Sequence, residues 1–482
     1  MWRTLQERYP RDKDYPARVA RIAALQRVLD GTMYDVLRHA FHDEITSSGE
    51  YIKLRDRRPS VRYNLCRMVV DQSVSMLFSE GHWPEVVSQD EESRQTINKI
   101  LRDACANQTM IDAATRGSVG SVCVWLRILA GRIYLDALDT TYLTPEWNPD
   151  RPDELLAVTE RRKLKGADLV AMGYPIDPKD VSADFWWTRI WTIDAEEWYE
   201  PQKTSSKAQP KIDRDRTVGH ALGFVPLVWI RNLPGGDSVD GAPTFPDAAI
   251  ETQIEVEYQL SQAGRGLKYS SDPLLMIKEP ATDTLGQFVR SASNAIQVSE
   301  KGDVKLVEID GTASAAVIEY VRTLREIAIE QMHGNRVNPD KLSGAQSGRA
   351  MELLNQPMIW LADRLRISYG DHGLLQIVRM IVKVAQLSTL VDADGDKYPD
   401  IAAAPCSLRW PAWYSPTTTD LAQIASTLRV HTDAGHLSQA SAVRIAAPLY
   451  DIRDVDGEMA AIKQDEAARA AMAPQVQEKI TA

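Results

Sequence analysis

The chain has 482 residues, of which 44% are hydrophobic and 26% charged, so it is long enough for two to four compact regions and too apolar to be disordered or collagen-like as a whole. Its net charge of −11 tells against tight general binding of nucleic acid, because such affinity comes from Lys and Arg neutralising phosphates. DNA contact of another kind remains compatible with that charge. No apolar run reaches the roughly eighteen residues of a membrane span, and the charged start Met1-Trp2-Arg3-Thr4-Leu5-Gln6-Glu7-Arg8 lacks the core of a signal peptide. Cys66, Cys105, Cys123 and Cys406 are widely spaced with no CxxC pair, which argues against zinc or a disulfide framework and suits a reducing cytoplasm.

Residues 17–45 read as helical from Val19, Ile22, Leu25, Val28 and Leu29, followed by helices over 61–80 and 94–113. The small, β-branched run from Gly117 to Leu126 and the segment Gly131–Asp136 then predict a hairpin. Further strands are expected at 155–164, 185–193 and 226–231, where Phe185, Trp186, Trp187, Trp191, Trp198 and Tyr199 favour β structure. Thr204–Pro210 is a polar loop, and Asn232-Leu233-Pro234-Gly235-Gly236-Asp237 is a turn closing the β-rich region.

Beyond that turn, residues 246–269 predict a helix with Ile250, Ile254, Tyr258 and Ser261 on one face. Strand and turn signals fill Asp272–Thr312, and a helix over 313–333 carries Val317, Tyr320, Val321, Leu324 and Ile327. Both helices pair an apolar stripe with charges, Glu251, Glu255 and Glu257 on the first and Arg322, Arg325 and Glu326 on the second. The pattern suits a ring of packed helices and equally the helices of one globular core. A long helix from Arg349 to about Leu387 would span roughly 55 Å if straight, with a bend or break expected at Pro357 and at Gly370/Gly373. A strand at Ser407–Trp410 and mostly helix from Thr419 to Ala473 complete an α+β, predominantly α-helical chain.

Enzyme motifs are missing. Gly344-Ala345-Gln346-Ser347-Gly348-Arg349 has the wrong spacing for a phosphate loop, and Gly264-Arg265-Gly266 lacks the third glycine of a dinucleotide fingerprint. GxSxG and HExxH do not occur. His39 and His42 share a predicted helix without a third ligand, so they read as solvated or capping side chains. Asp392-Ala393-Asp394-Gly395-Asp396 opens like a calcium loop, but Lys397 and Ala403 stand where it needs Gly and Glu, so a polar turn is expected. The adjacent pairs Glu91/Glu92 and Glu196/Glu197 would not converge on one substrate. Neither a catalytic residue, a metal nor a cofactor is expected.

The order of elements, with several local strings, resembles the portal proteins of tailed double-stranded DNA bacteriophages, siphophage type. The strings are Gly223-Phe224-Val225-Pro226-Leu227-Val228 before the Asn232 turn, Ser343–Met351 followed by Leu353-Leu354, Asp433-Ala434-Gly435-His436-Leu437-Ser438, and Pro448-Leu449-Tyr450-Asp451 with Asp456-Gly457-Glu458. The chain departs from the pattern in placing Arg349 at the start of the long helix and in its short Ala-rich end.

The resemblance implies a portal fold with an α/β wing over 1–240, a first stem helix over 241–271, a clip over 272–312 and a second stem helix over 313–333. A tunnel loop over 334–348, a long kinked helix with a strand returning to the wing over 349–418, and a crown with C-terminal helices over 419–482 would follow. It implies a homo-oligomeric ring, a dodecamer in the virion, at one capsid vertex, assembled in the host cytoplasm. Double-stranded DNA would pass transiently and without sequence preference. Asn335, Arg336, Asn338, Lys341 and Arg349 would face it, although a plain helix connection suits 334–348 as well. Lys278, Glu279, Arg290 and Lys305 of the clip would dock the terminase large subunit and then head-completion or adaptor proteins. Major capsid and scaffolding proteins are further implied partners, and no membrane is. The competing readings are another head-completion protein, or a DNA-processing enzyme whose metal site would need Asp and Glu clustered at strand ends.

Overall fold

The computed structural model describes residues 1–270, 274–280, 298–307, 312–334, 352–353, 355–413, 418–450, 452 and 455–478. The chain divides into one unit of Met1–Arg336 with Trp360–Pro411 and another of Val337–Ile359 with Ala412–Ala482.

The first unit opens with α1 (Trp2–Arg8) and α2 (Ala17–Leu29). The helix expected to reach residue 45 stops at Leu29, because Gly31 takes a left-handed φ of +70° that ends it. His39 and His42 therefore do not share a helix; His39 instead forms a lone bridge with Arg57. Asn64 joins α2 to α3 (Leu65–Phe78): its Oδ1 accepts from Arg67 N at 3.0 Å while its Nδ2 donates to Val28 O at 2.8 Å. The single helix expected over 94–113 is two, α4 (Glu91–Asp103) and α5 (Ala106–Gly117), broken where Cys105 takes φ +51°. Glu91 and Glu92 sit in the first turn of α4 behind the Asp90 cap, where the helix dipole favours them.

The β structure begins with β1 (Glu85–Ser88), followed by the hairpin β2 (Ser121–Leu129) and β3 (Arg132–Asp139) turning through Ala130 and Gly131, both at positive φ. Next come β4 (Leu143–Trp147), β5 (Leu155–Lys165), β6 (Asp184–Trp191), β7 (Ala195–Trp198), β8 (Gln202–Lys203), β9 (Val218–Gly219) and β10 (Leu227–Arg231). A short helix, α6 (Gly166–Ala171), follows β5. One sheet runs β10-β2-β3; another runs β4-β5-β6-β7-β9, with β8 paired to β6.

Strict alternation along β6 buries Phe185, Trp187, Arg189 and Trp191 on one face. Arg189 lies within 5.5 Å of the ring centroids of Trp125, Trp187, Trp191 and Trp198, and its guanidinium donates to buried Glu160 at 2.7 Å. Four π faces and a carboxylate thus replace the water that this cation gives up. The hydrophobic cluster beside it contains Cys123, Leu143, Val158, Trp191, Leu227 and Trp229.

The turn after β10 is built by buried Asn232, whose Nδ2 donates to Ala242 O at 2.9 Å and Thr244 Oγ1 at 3.0 Å, while its Oδ1 accepts from Tyr369 Oη at 3.0 Å. A Cβ on Gly236 would lie 2.0 Å from Asp240 O, so the chain here closes too tightly for any side chain. Buried Asp240 receives Arg18 at 2.7 Å and Arg21 at 2.8 Å, tying α2 to this turn.

Two long helices follow, α7 (Asp247–Ser270) and α8 (Thr312–Gln331), with the antiparallel ribbon β11 (Leu274–Pro280) and β12 (Val298–Val307) between them in sequence. Further on, α9 (Gln356–Leu365) runs into a π-helical segment, Arg366–Leu374, and then α10 (Leu375–Leu387). Asn355 is a turn and α9 starts beside it, with Pro357 in its first turn where a missing N–H costs nothing, so the long helix expected from Arg349 is broken at Pro357. Gly370 and Gly373 lie inside the π-helical segment and let it approach Trp410 and Ile230 closely. The Asp392–Asp396 stretch is a polar turn whose Asp392 carboxylate accepts from the backbone N–H of Asp394 and Asp396 and pairs with Lys99 at 2.9 Å. β13 (Cys406–Arg409) pairs with β1.

The second unit carries α11 (Thr418–Asp433), α12 (Gln439–Ala446) and α13 (Val455–Glu478). The near-continuous helix expected from Thr419 is thus interrupted, first at Gly435 (φ +73°) and then by Ser438, whose Oγ caps α12 by accepting from Ser441 N. The architecture is α+β.

Candidate functional site

The α7–α8 pair is the most distinctive element of the first unit, because two long helices leave and rejoin the body with only the β11–β12 ribbon described between them. They run antiparallel and pack along their lengths. The stripe expected on α7 is buried, with Ile250, Ile254, Tyr258 and Ser261 all inside.

The expectation for Glu257 is overturned. It belongs to the buried side and not to a charged outer face, being 1% exposed, and Gln253 beside it is buried too. Gln253, Glu257 and Ser261 form a ladder of side-chain acceptors at i, i+4 and i+8. Ser261 Oγ accepts from Val61 N at 3.0 Å, Glu257 Oε1 from Tyr63 N at 2.9 Å, and Gln253 Oε1 from Cys66 N at 2.9 Å. Four helical residues rise ~6 Å, close to the ~6.7 Å spanned by two extended residues, so one helix face can serve an extended strand rung by rung. The last rung takes three residues because the chain is already turning into α3. The ladder also satisfies a backbone N–H at the start of α3 that has no partner within its own helix.

Glu257 Oε2 accepts a short hydrogen bond from Tyr34 Oη. Burial pushes the Glu257 carboxyl up to about 7, against the lowering effect of its hydrogen bonds from Tyr34 and Tyr63. Burial and the adjacent Glu257 push the Tyr34 hydroxyl well up. Tyr258 Oη donates to Arg57 O at 2.6 Å, a fourth contact between α7 and the segment leading into α3. Of the remaining predicted charges on α7, Glu251 accepts from Trp2 N at 2.9 Å, and exposed Glu255 accepts from half-buried Gln259 at 2.7 Å.

On α8, Val317, Val321, Leu324 and Ala328 form the inward stripe at spacings of four and three. Tyr320 and Ile327, predicted on that stripe, lie seven residues apart on a neighbouring one and are 48% and 39% exposed; Ile318 is 46% exposed. Arg325 donates to Tyr63 Oη at 3.1 Å, so Tyr63 joins both helices.

The predicted contact residues meet the structure unevenly. Lys278 and Glu279 lie on β11 and Lys305 on β12, with Lys278 opposite Asp303 and Lys305 opposite Met276 in the ribbon. Arg290, Asn335, Arg336, Asn338, Lys341 and Arg349 lie outside the described residues. Among the described residues no group of three His, Cys, Asp or Glu side chains is placed to hold a metal, and no helix is long and apolar enough to cross a membrane. Sequence reading missed Gln253 and misassigned Glu257. Their signal was a polar residue recurring every fourth position beside the Ile250–Ile254–Tyr258 stripe.

A family model described as phage portal protein, SPP1 Gp6-like, matches residues 11–471. No curated protein matches the chain.

Proposed function

The chain belongs to the SPP1 Gp6-like family of phage portal proteins, a structural family of head–tail connectors, and from that premise we propose that it forms the ring at one capsid vertex through which double-stranded DNA is packaged and ejected. The observation that carries this reading is the antiparallel α7–α8 pair with the β-ribbon between its helices. Residues 241–271 and 313–333 would be the stem and 272–312 the clip. Residues 1–240 would be the wing, 334–348 the tunnel loop, 349–418 the long kinked helix with its return strand, and 419–482 the crown and C-terminal helices.

The exposed apolar side chains of α8, Tyr320 and Ile327 on one flank and Ile318 on the other, support the assembly. Side by side in a ring, each copy would cover these apolar side chains with a different surface of its neighbour, as cyclic symmetry requires. The β-ribbon would present its edges to neighbouring copies, and closure of the ring would leave none open. In this reading the clip docks the terminase first and head-completion proteins afterwards. The net charge of −11 suits a channel along which DNA moves without being gripped.

Negative-stain electron microscopy of the purified protein tests the proposal, and rings with a hole wide enough for duplex DNA are expected. A variant lacking residues 335–342 is expected to form rings and to package or retain DNA poorly. Full packaging by that variant would remove the tunnel-loop assignment. Metal-dependent cleavage of DNA by the purified chain would overturn the portal reading itself.

A further inference from the structure

In the first unit a cleft of about 1360 Å³ opens between the π-helical segment with α10 on one side and the turns around β4 and β10 on the other. One wall is a single helical face, His372, Gln376, Arg379, Lys383 and Gln386, at alternating spacings of four and three. The opposite wall is aromatic. The Lys383 ammonium lies 5.5 Å from the Phe224 ring centroid, and the Arg231 guanidinium lies 5.3 Å from that of Trp147.

Most carboxylates bordering this cleft are engaged. Asp237 pairs with Arg21 at 2.9 Å, Asp240 with Arg18 and Arg21, and Glu154 with Arg151 at 2.9 Å. Asp153 at the rim has no ion pair among the described residues. Arg231, Arg379 and Lys383, by contrast, have no carboxylate within ion-pair distance among the described residues. The indole N–H of Trp147 is buried there without an acceptor, a condition that folded chains rarely leave uncorrected. Three unpaired cations and an orphaned donor therefore line a recess whose other lining, Val225, Leu227, Leu233 and Pro234, is apolar.

We propose that this cleft is a docking groove for an acidic peptide segment of a partner protein. Carboxylates of the segment meet Arg231, Arg379 and Lys383, and an intervening apolar side chain lies against Phe224 and Val225. Alternating charge and apolar contact matches the two unlike walls. A short acidic segment carries few charges, whereas a polyphosphate strand would bring its full charge against a chain of net charge −11.

The test uses the full chain and a short fluorescein-labelled peptide alternating Glu and Leu, followed by fluorescence anisotropy. Saturable binding is expected, weakened about tenfold or more by the double variant R379E/K383E and by added salt, and absent for a peptide with Lys in place of Glu. Both substituted residues are exposed, so the variant folds; unchanged circular dichroism checks this. F224A is expected to weaken binding separately, through the apolar wall. The proposal is overturned if the Glu–Leu peptide does not bind, or if the double variant binds it equally well. It is also overturned, in favour of a nucleic-acid groove, if a single-stranded oligonucleotide binds more tightly than the peptide.

Discussion

Replacing Glu257 with glutamine keeps the shape of the side chain and removes its charge, which makes the α7 ladder open to a pH experiment. The carboxyl is raised from 4.5 to about 7 by burial, so the folded state holds a proton that the unfolded state releases. Stability from this group is fully present below pH 4.5, falls as pH rises to about 7 and is flat beyond. At about 1.36 kcal/mol per pH unit the loss across that window is about 3 kcal/mol. Glutamine can still accept from Tyr63 N and can donate to Tyr34 Oη, so E257Q should be nearly neutral at pH 5 and stabilising by about 3 kcal/mol at pH 8. Urea unfolding followed by tryptophan fluorescence at pH 5, 6, 7 and 8 measures the difference between the two proteins. His220, whose pKa burial lowers, acts in the opposite direction because its stabilising effect is lost as pH falls below 6.5. It is common to both proteins and cancels. Parallel pH profiles for the two proteins would refute the buried-carboxylate argument.

R189A should empty the box of four tryptophans and leave Glu160 with Arg162 at 2.6 Å as its remaining cation. The expected cost is about 3 kcal/mol, the low end for breaking a buried pair because one partner stays; R189K should recover part of it, and thermal unfolding reads both. Gly264 and Gly266 have open space where a Cβ would stand, so G264A and G266A should each stabilise α7 by about 0.5–1 kcal/mol. Slower amide hydrogen exchange at the end of the helix is the check.

Period and composition carried most of the element order. The β6 alternation, the hairpin through Gly131 and the turn at Asn232 follow from local chemistry that one sequence displays. The misses have two kinds of cause. Gly31 ends the first helix, but apolar residues beyond it continue a helical period and conceal the end. Nothing in Asp103-Ala104-Cys105 signals a break, because the left-handed position between α4 and α5 falls on a cysteine and not on a glycine. Gly370 and Gly373 signalled a bend, while the π-helical form depends on Trp410, Ile230 and the Tyr369–Asn232 bond, which only tertiary structure brings together. Glu257 shows the same limit at the site. Its spacing marked a face, but the Tyr63 N–H and the Tyr34 hydroxyl that donate to the buried carboxyl come from residues 194 and 223 positions away.

The ladder between α7 and residues 61–66 behaves mechanically like a key cut to three depths. Its three rungs share one register, so sliding α7 by a single residue, ~1.5 Å, would break all of them together. The helix root is therefore either locked or released, with no graded position between. Displacement applied at the far end of α7 has to be absorbed beyond Ser261, and the first residues there without side-chain bulk are Gly264 and Gly266. The compliant joint sits immediately past the lock, so the outer length of the helix can swing while its root continues to hold the body of the subunit.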